Sequence, residues 1–289
     1  MNSPVVVVTG GAGGLGKSLC ERFSQAGAKV VALDVNPQAL QAFQEQFDAE
    51  GKPALAIACD IRKPEAVRTA FDQISEHFGD VDILINNAGI THLGIFDDTP
   101  LEAVNRVMDV NFFGAVNCTH FAMPGIRRKR GTIVVVSSVA GFAPLMGRTA
   151  YSASKFALHG FFESLRTEEA DTGVHVLMVC PSTIDTGIRK AAMTDDKDGE
   201  AAQQQVGKVD TPEEVAEQIF QSTMHRKRQL ITGFTGKMSW VIRKALPGLY
   251  DKLMINKVKP AIEALQIDKK QTDSNLRSLV INPTEKTGT

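Results

Sequence analysis

Near its N-terminus the chain runs Val5-Val6-Val7-Val8-Thr9-Gly10-Gly11-Ala12-Gly13-Gly14-Leu15-Gly16. Four β-branched apolar residues in a row predict a strand buried on both faces. Glycines end it, and Leu15–Ala26 has helical periodicity. Glycines at such a junction let the backbone turn tightly and let another group come close, while the helix start offers free N–H groups and a positive dipole end. This order fits a parallel sheet covered by helices, with a dinucleotide pyrophosphate held at the first turn. Glycine-rich loops also close ordinary turns, so a second signal is needed. The next strand ends at Asp34, eighteen residues after Gly16. A carboxylate there accepts hydrogen bonds from adenosine ribose hydroxyls and repels a 2'-phosphate. The plainer alternative is a turn aspartate that caps the helix starting at Pro37.

The alternation continues. Short apolar runs recur at Val30–Leu33, Leu55–Ala58, Ile83–Ile85, Ile133–Val136, Val174–Val179 and Leu230–Thr232. Between them, Pro37–Glu50, Pro64–Phe78, Leu101–Arg127 and Tyr151–Asp171 have helical periodicity. This predicts an α/β fold: a doubly wound parallel sheet of about seven strands with helices on both faces. No Gly-, Pro- or Ser-rich linker divides residues 1–235, which are expected to form one catalytic domain. After Gly233 the strands stop. Residues 236–267 are expected to form a basic amphipathic helical extension, and residues 268–289 a polar, disordered tail.

Composition narrows the function. A net charge of -1 creates no field that favours nucleic acid. The basic run Arg127-Arg128-Lys129-Arg130 ends a predicted helix, where cations complement the dipole. Cys20, Cys59, Cys118 and Cys180 are scattered among apolar neighbours, without metal-ligand spacing. They read as buried thiols in a reducing compartment, and no metal is expected. The chain enters its first strand directly, which argues against a signal peptide and for a cytoplasmic location.

The chain has two tyrosines, and one stands in Thr149-Ala150-Tyr151-Ser152-Ala153-Ser154-Lys155. On a helix, Tyr151 and Lys155 share a face, one turn apart. Alone, the pair could be an ordinary amphipathic feature with the lysine stem along apolar surface. A phenol with an ordinary pKa of about 10 is a poor base at neutral pH. A fixed ammonium nearby favours its charged form.

Together these motifs resemble the short-chain dehydrogenase/reductase family, in its single-domain branch. The glycine pattern Thr9-Gly10-x-x-x-Gly14-x-Gly16, Asp60-Ile61, Asn86-Asn87-Ala88-Gly89, Asn111, Ser138, Tyr151-x-x-x-Lys155 and Pro181-Ser182-Thr183-Ile184-Asp185-Thr186 carry the resemblance, over about residues 4–235. Ser182 stands where the family usually has glycine. The resemblance implies a Rossmann-type fold and a nicotinamide cofactor held by Gly10, Gly14, Leu15, Gly16, Asp34, Asp60, Ile61, Asn87, Ala88, Gly89, Tyr151, Lys155, Pro181, Ile184 and Thr186. It implies four catalytic residues. Tyr151 is the acid/base for hydride exchange between the nicotinamide and a secondary alcohol or ketone. Ser138 holds the substrate oxygen. Lys155 bonds the nicotinamide ribose, and Asn111 holds a water that links Lys155 to solvent. NAD is expected over NADP, because Asp34 is acidic and neither Gly13 nor Val35 is the cation that NADP-binding relatives carry.

By the same resemblance, three segments line the substrate pocket: Ile90, Leu93, Ile95 and Phe96; Phe142, Ala143, Pro144, Leu145 and Met146; and Ile188, Ala191, Ala192 and Met193. Arg148 and Arg189 are the nearby cations. A mostly apolar lining suits a lipophilic substrate of steroid, retinoid or long-chain type. Residues 195–198 and 203–205 read as a polar lid. His92 and His159 read as surface or satisfied core residues. A homodimer or homotetramer is expected, with Phe112 and Phe113 in the core or at the subunit interface.

From Arg226 to Lys259 there are nine Lys/Arg and one acid, Asp251, mixed with Trp240, Tyr250 and aliphatic residues. This fits either an interfacial helix in peripheral contact with a membrane or a helix packed on its own domain or a second subunit. Two other functions share such a fold. A nucleotide-sugar epimerase or dehydratase also uses YxxxK, but the glycine spacing and apolar pocket speak against it. A non-catalytic NAD-sensing protein would not need the complete Asn/Ser/Tyr/Lys set.

Overall fold

In the computed structural model, residues 3–185, 209–256 and 259 are described. Seven strands form one sheet in the order β3-β2-β1-β4-β5-β6-β7, every neighbouring pair parallel. They are β1 (Val5–Thr9), β2 (Lys29–Asp34), β3 (Ala54–Ala58), β4 (Ile83–Asn86), β5 (Thr132–Val136), β6 (His175–Cys180) and β7 (Gln229–Ile231). Each predicted strand is present, with ends shifted by a residue or two. The helices are α1 (Gly14–Gln25), α2 (Pro37–Ala49), α3 (Pro64–Phe78), α4 (Leu101–Met108), α5 (Gly114–Lys129), α6 (Thr149–Glu168), α7 (Pro212–Met224) and α8 (Phe234–Ala245).

Side chains alternate between faces along a strand, so one apolar run serves two cores. Val5, Val7, Val31, Leu33, Leu84, Ile133 and Val135 pack with α3, α5 and α6. Val6, Val8, Val30, Ala32, Ile83, Ile85 and Val134 pack with α1, α2 and α7. This is why the strands read as unbroken valine, leucine and isoleucine. Each fully buried large side chain contributes about 1.5–3 kcal/mol. The strand order runs outward both ways from β1 and β4. The crevice between their C-terminal ends is where a doubly wound sheet leaves room for a ligand.

Two predicted boundaries change. Leu101–Arg127 is not one α-helix: a π-helical turn, Asp109–Phe113, separates α4 from α5. Helix α7 was not predicted, although Thr211-Pro212-Glu213-Glu214 is a helix-start signature. The Thr211 side chain accepts from the Glu214 N–H, and the Glu214 side chain accepts from the Thr211 N–H. The basic run at the end of α5 is neutralised locally: Arg127 pairs with the buried Glu169, and Arg128 with Asp80 at 2.6 Å. Residues 260–289, with the expected tail, lie outside the described residues.

The turn after β1 sets how closely α1 approaches the sheet. Gly10 has φ +62° and Gly14 φ +49°, the left-handed region that disfavours side chains. A Cβ on Gly16 would lie 1.9 Å from the Gly10 carbonyl oxygen, whereas a Cβ on Gly13 would meet nothing within 4 Å. Gly16→Ala should therefore cost about 2–3 kcal/mol, and Gly13→Ala should be nearly neutral. Urea unfolding of both variants measures the difference.

Candidate active site

The first turn of α1, like those of α3, α6 and α8, has no side-chain cap, and it alone of these follows the glycine turn after β1. Its cap residue, Gly13, has no side chain to satisfy the free N–H groups, and no acid stands in the first turn. Helix α2 is capped by Asn36, whose Oδ1 accepts from Ala39 N at 3.1 Å, and α7 by its capping box. An uncapped helix start facing a glycine turn fits a pyrophosphate. Asp34 does not cap α2. One of its oxygens accepts from Ala12 N in the glycine turn at 3.2 Å; the other accepts from Val35 N and Asn36 N at 2.8 and 3.1 Å. This holds the carboxylate at the end of β2, beside the turn.

Thr9 ties this turn to the loop after β4. Its buried hydroxyl accepts from Asn87 N and Ala88 N at 3.0 and 2.9 Å. The Asn87 amide in turn donates to Thr9 O at 3.0 Å and to Gly10 O at 3.3 Å. Thr9 opens the glycine motif in the sequence, but its side-chain role comes from the parallel register of β1 and β4, where Val8 is level with Ile85. Ile61 is buried, with its carbonyl held by Asn117 Nδ2 at 2.9 Å. Asp60 pairs with Arg62 at 2.7 Å, which holds its carboxyl below the usual range.

Asn111 lies in the π-helical turn and is buried. Its Oδ1 accepts from Ile90 N at 2.8 Å, and its Nδ2 donates to Ile90 O and Ser154 Oγ, both at 2.9 Å. The Ser154 hydroxyl donates to Tyr151 O at 2.8 Å. One amide thus links the loop after β4 to the helix of the Tyr/Lys pair. A side chain on Gly89 would face Asn111 Oδ1 at 3.3 Å and Lys155 Nζ at 3.5 Å, so glycine leaves both groups open to the crevice.

Lys155 is buried, and its ammonium donates to Val136 O at 2.9 Å. Burial pushes it down to about 8. Its Nζ lies 5.6 Å from the centre of the Tyr151 ring. The Tyr/Lys pair expected from the spacing is thus brought together on one face of α6. Tyr151 is half-buried, and desolvation of its phenol raises it above the usual phenol value. The neighbouring Ser138 hydroxyl and the Arg148 charge pull it back down. Ser138 stands just past β5, where its Oγ accepts from Ala140 N at 3.1 Å. Arg148 reaches Thr91 Oγ1 at 3.4 Å, and Gly94 N donates to Gly147 O at 2.9 Å, which joins the two described pocket segments.

The pocket lining needs one correction: Ala143 is fully buried in the protein interior. Pro181 is buried and Ile184 half-buried after β6, where Ile184 bridges to Asp210. Thr186, Ile188, Arg189, Ala191, Ala192, Met193 and residues 195–198 and 203–205 lie outside the described residues. His92 is buried; His159 contacts Glu163 Oε1 at 3.2 Å and Cys180 Sγ at 3.6 Å.

A doubly wound sheet with an uncapped glycine turn at its crevice defines a nucleotide-binding α/β protein. Residues 4–197 match the family described as short chain dehydrogenase. The rat protein "Dehydrogenase/reductase SDR family member 7B" is 35% identical over 268 residues, covering 90% of this chain and 82% of its own length. The Arabidopsis thaliana "11-beta-hydroxysteroid dehydrogenase-like 2" is 35% identical over 184 residues, covering 63% of this chain and 59% of its own. A crystal structure of a short-chain dehydrogenase/reductase from Burkholderia phymatum in complex with NAD superposes with a TM-score of 0.78 at 25% identity, covering 86% of this chain and 95% of that one. The chain belongs to the short-chain dehydrogenase/reductase family and is a nicotinamide-dependent oxidoreductase.

Replacing Thr9 with Val keeps its shape and leaves two backbone N–H groups without their acceptor. Thr9→Val should cost about 2–4 kcal/mol and weaken dinucleotide binding. Denaturant unfolding and a binding titration check the two effects.

Proposed function

We propose that this enzyme interconverts a lipophilic secondary alcohol and its ketone, with Tyr151 as the acid/base. The observation that carries this reading is the geometry of the pair: Tyr151 stands one helical turn from the buried Lys155, whose Nζ lies 5.6 Å from the centre of the Tyr151 ring, at the end of the sheet where Ser138 follows β5. A bound oxidised nicotinamide would supply the hydride acceptor. Tyr151 takes the alcohol proton, or returns it to the ketone in the reverse direction. Ser138 holds the substrate oxygen and stabilises charge on it. Lys155 would hold the nicotinamide ribose, and Asn111 would fix the loop beside it and hold a water on the path to solvent. The glycine turn with Leu15 would hold the pyrophosphate, Asp34 the adenosine ribose, Asp60 and Ile61 the adenine, and Asn87, Ala88, Gly89, Pro181, Ile184 and Thr186 the rest of the dinucleotide.

Leu93, Ile95, Phe142, Leu145 and Met146 are half-buried and apolar, which supports a lipophilic substrate. Phe113, Phe156 and Phe161 are exposed, and Phe161 meets Phe112 edge to face. We assign this aromatic face to a homodimer or homotetramer contact. The four cysteines are buried and free, which suits the cytoplasm.

Tyr151→Phe should lower kcat by about 10²–10⁴-fold and leave dinucleotide affinity nearly unchanged, because the ribose contact is assigned to Lys155. Lys155→Ala should lower both. Steady-state kinetics with a panel of alcohols and ketones, beside a binding titration, separates the effects. Near-normal turnover by folded Tyr151→Phe protein would overturn the assignment.

Asp34 should favour NAD over NADP by at least about tenfold in kcat/KM, or 1.4 kcal/mol. A 2'-phosphate would meet its carboxylate without a compensating cation. Asp34→Ala should narrow the ratio. Equal use of both cofactors by the unmodified enzyme would contradict this role.

A further inference from the structure

Among the described residues, fourteen large apolar side chains are exposed, and seven of them lie between Phe234 and Ile255. Phe234, Met238 and Val241 make one stripe along α8. Leu249 and Leu253, one turn apart on the helical stretch 247–256, are exposed as well, as is Leu246 at the break between the two helices.

The inner side of this segment is already used. Gly236 is buried, and a Cβ there would lie 3.1 Å from both Ile231 and Val139. The buried Tyr250 donates its hydroxyl to Pro144 O at 3.2 Å. Packing on the domain therefore accounts for Gly236 and Tyr250, and among the described residues none covers the outer stripe. An exposed apolar stripe of this kind marks an interaction site.

Charge selects the occupant. Residues 234–256 hold four cations, Lys237, Arg243, Lys244 and Lys252, and one acid, Asp251, which lies 3.4 Å from Arg243. The Lys244 ammonium sits 4.3 Å from the centre of the Trp240 ring. Apolar side chains flanked by lysines and a tryptophan suit the boundary between acyl chains and anionic headgroups. A second copy meeting the same face would bring lysines against lysines. No helix among the described residues is long and apolar enough to cross a membrane, so such contact is with the surface.

We propose that α8 and residues 247–256 dock the protein on an anionic lipid surface, while Tyr250 and Gly236 hold the same segment against the loop after Ser138. The passage of a lipophilic substrate from that surface to the site rests on the oxidoreductase reading above; the docking does not.

The test is co-sedimentation of the full chain with vesicles of phosphatidylcholine alone or mixed with phosphatidylglycerol, beside the double variant Val241→Glu/Leu253→Glu. The protein should pellet with the anionic vesicles only and be released by high salt. The double variant should partition about tenfold less, with turnover of a water-soluble secondary alcohol unchanged. Wild-type protein that stays in the supernatant, or a double variant that pellets equally, overturns the proposal. So does a lower subunit count for the variant without vesicles, which would assign the face to a second copy. Salt-sensitive pelleting without turnover of any alcohol or ketone would support the docking and contradict the oxidoreductase reading.

Discussion

The site depends on how closely three pieces of backbone meet at the top of β1. Gly16 passes the Gly10 carbonyl with no room for a Cβ, so α1 begins directly behind the turn. Thr9 accepts two N–H bonds from the loop after β4, and Asp34 accepts one from Ala12 on the other side. The turn is thus held from β4 and from β2 at once. The first N–H groups of α1 have no side-chain cap, which leaves them available to a ligand. A looser turn would leave the helix dipole pointing at solvent rather than at a fixed anion site.

Burial then sets the proton chemistry. It raises the Tyr151 phenol and lowers the Lys155 ammonium, so both groups lie nearer their neutral forms than in water. Ser138 and Arg148 oppose the effect on Tyr151. The proposed acid/base is therefore held in its protonated form in the free protein. It would become a base when positive charge from an oxidised nicotinamide arrives nearby. Asn111 acts at one remove, by fixing Ile90 to Ser154 across the crevice.

Much of the fold was legible because the strands are buried on both faces: unbroken runs such as Val5–Val8 and Ile133–Val136 have few other solutions. The glycine turn was legible for a similar steric reason. The break at Asp109–Phe113 was not, since the wide turn accompanies tertiary bonds from Asn111 to Ile90 and Ser154, and no local pattern announces it. Helix α7 could have been read from its capping box. The Tyr/Lys pair was visible as a spacing, but its electrostatics were not. Lys155 donates to Val136 O, and burial and the Arg148 charge also act on the phenol. For α8, the sequence showed an amphipathic basic segment; only the contacts of Gly236 and Tyr250 show which side faces inward.

The most direct measurement is the ionisation of Tyr151 itself. The chain has two tyrosines, so a Tyr250→Phe protein leaves one phenol to follow by tyrosinate absorbance. Titrated alone, Tyr151 should ionise above the ordinary phenol value of about 10. Saturation with oxidised dinucleotide should shift that ionisation to lower pH, as its positive charge reaches the phenol. An unperturbed titration in the free protein, or one that the dinucleotide leaves unchanged, would contradict the account.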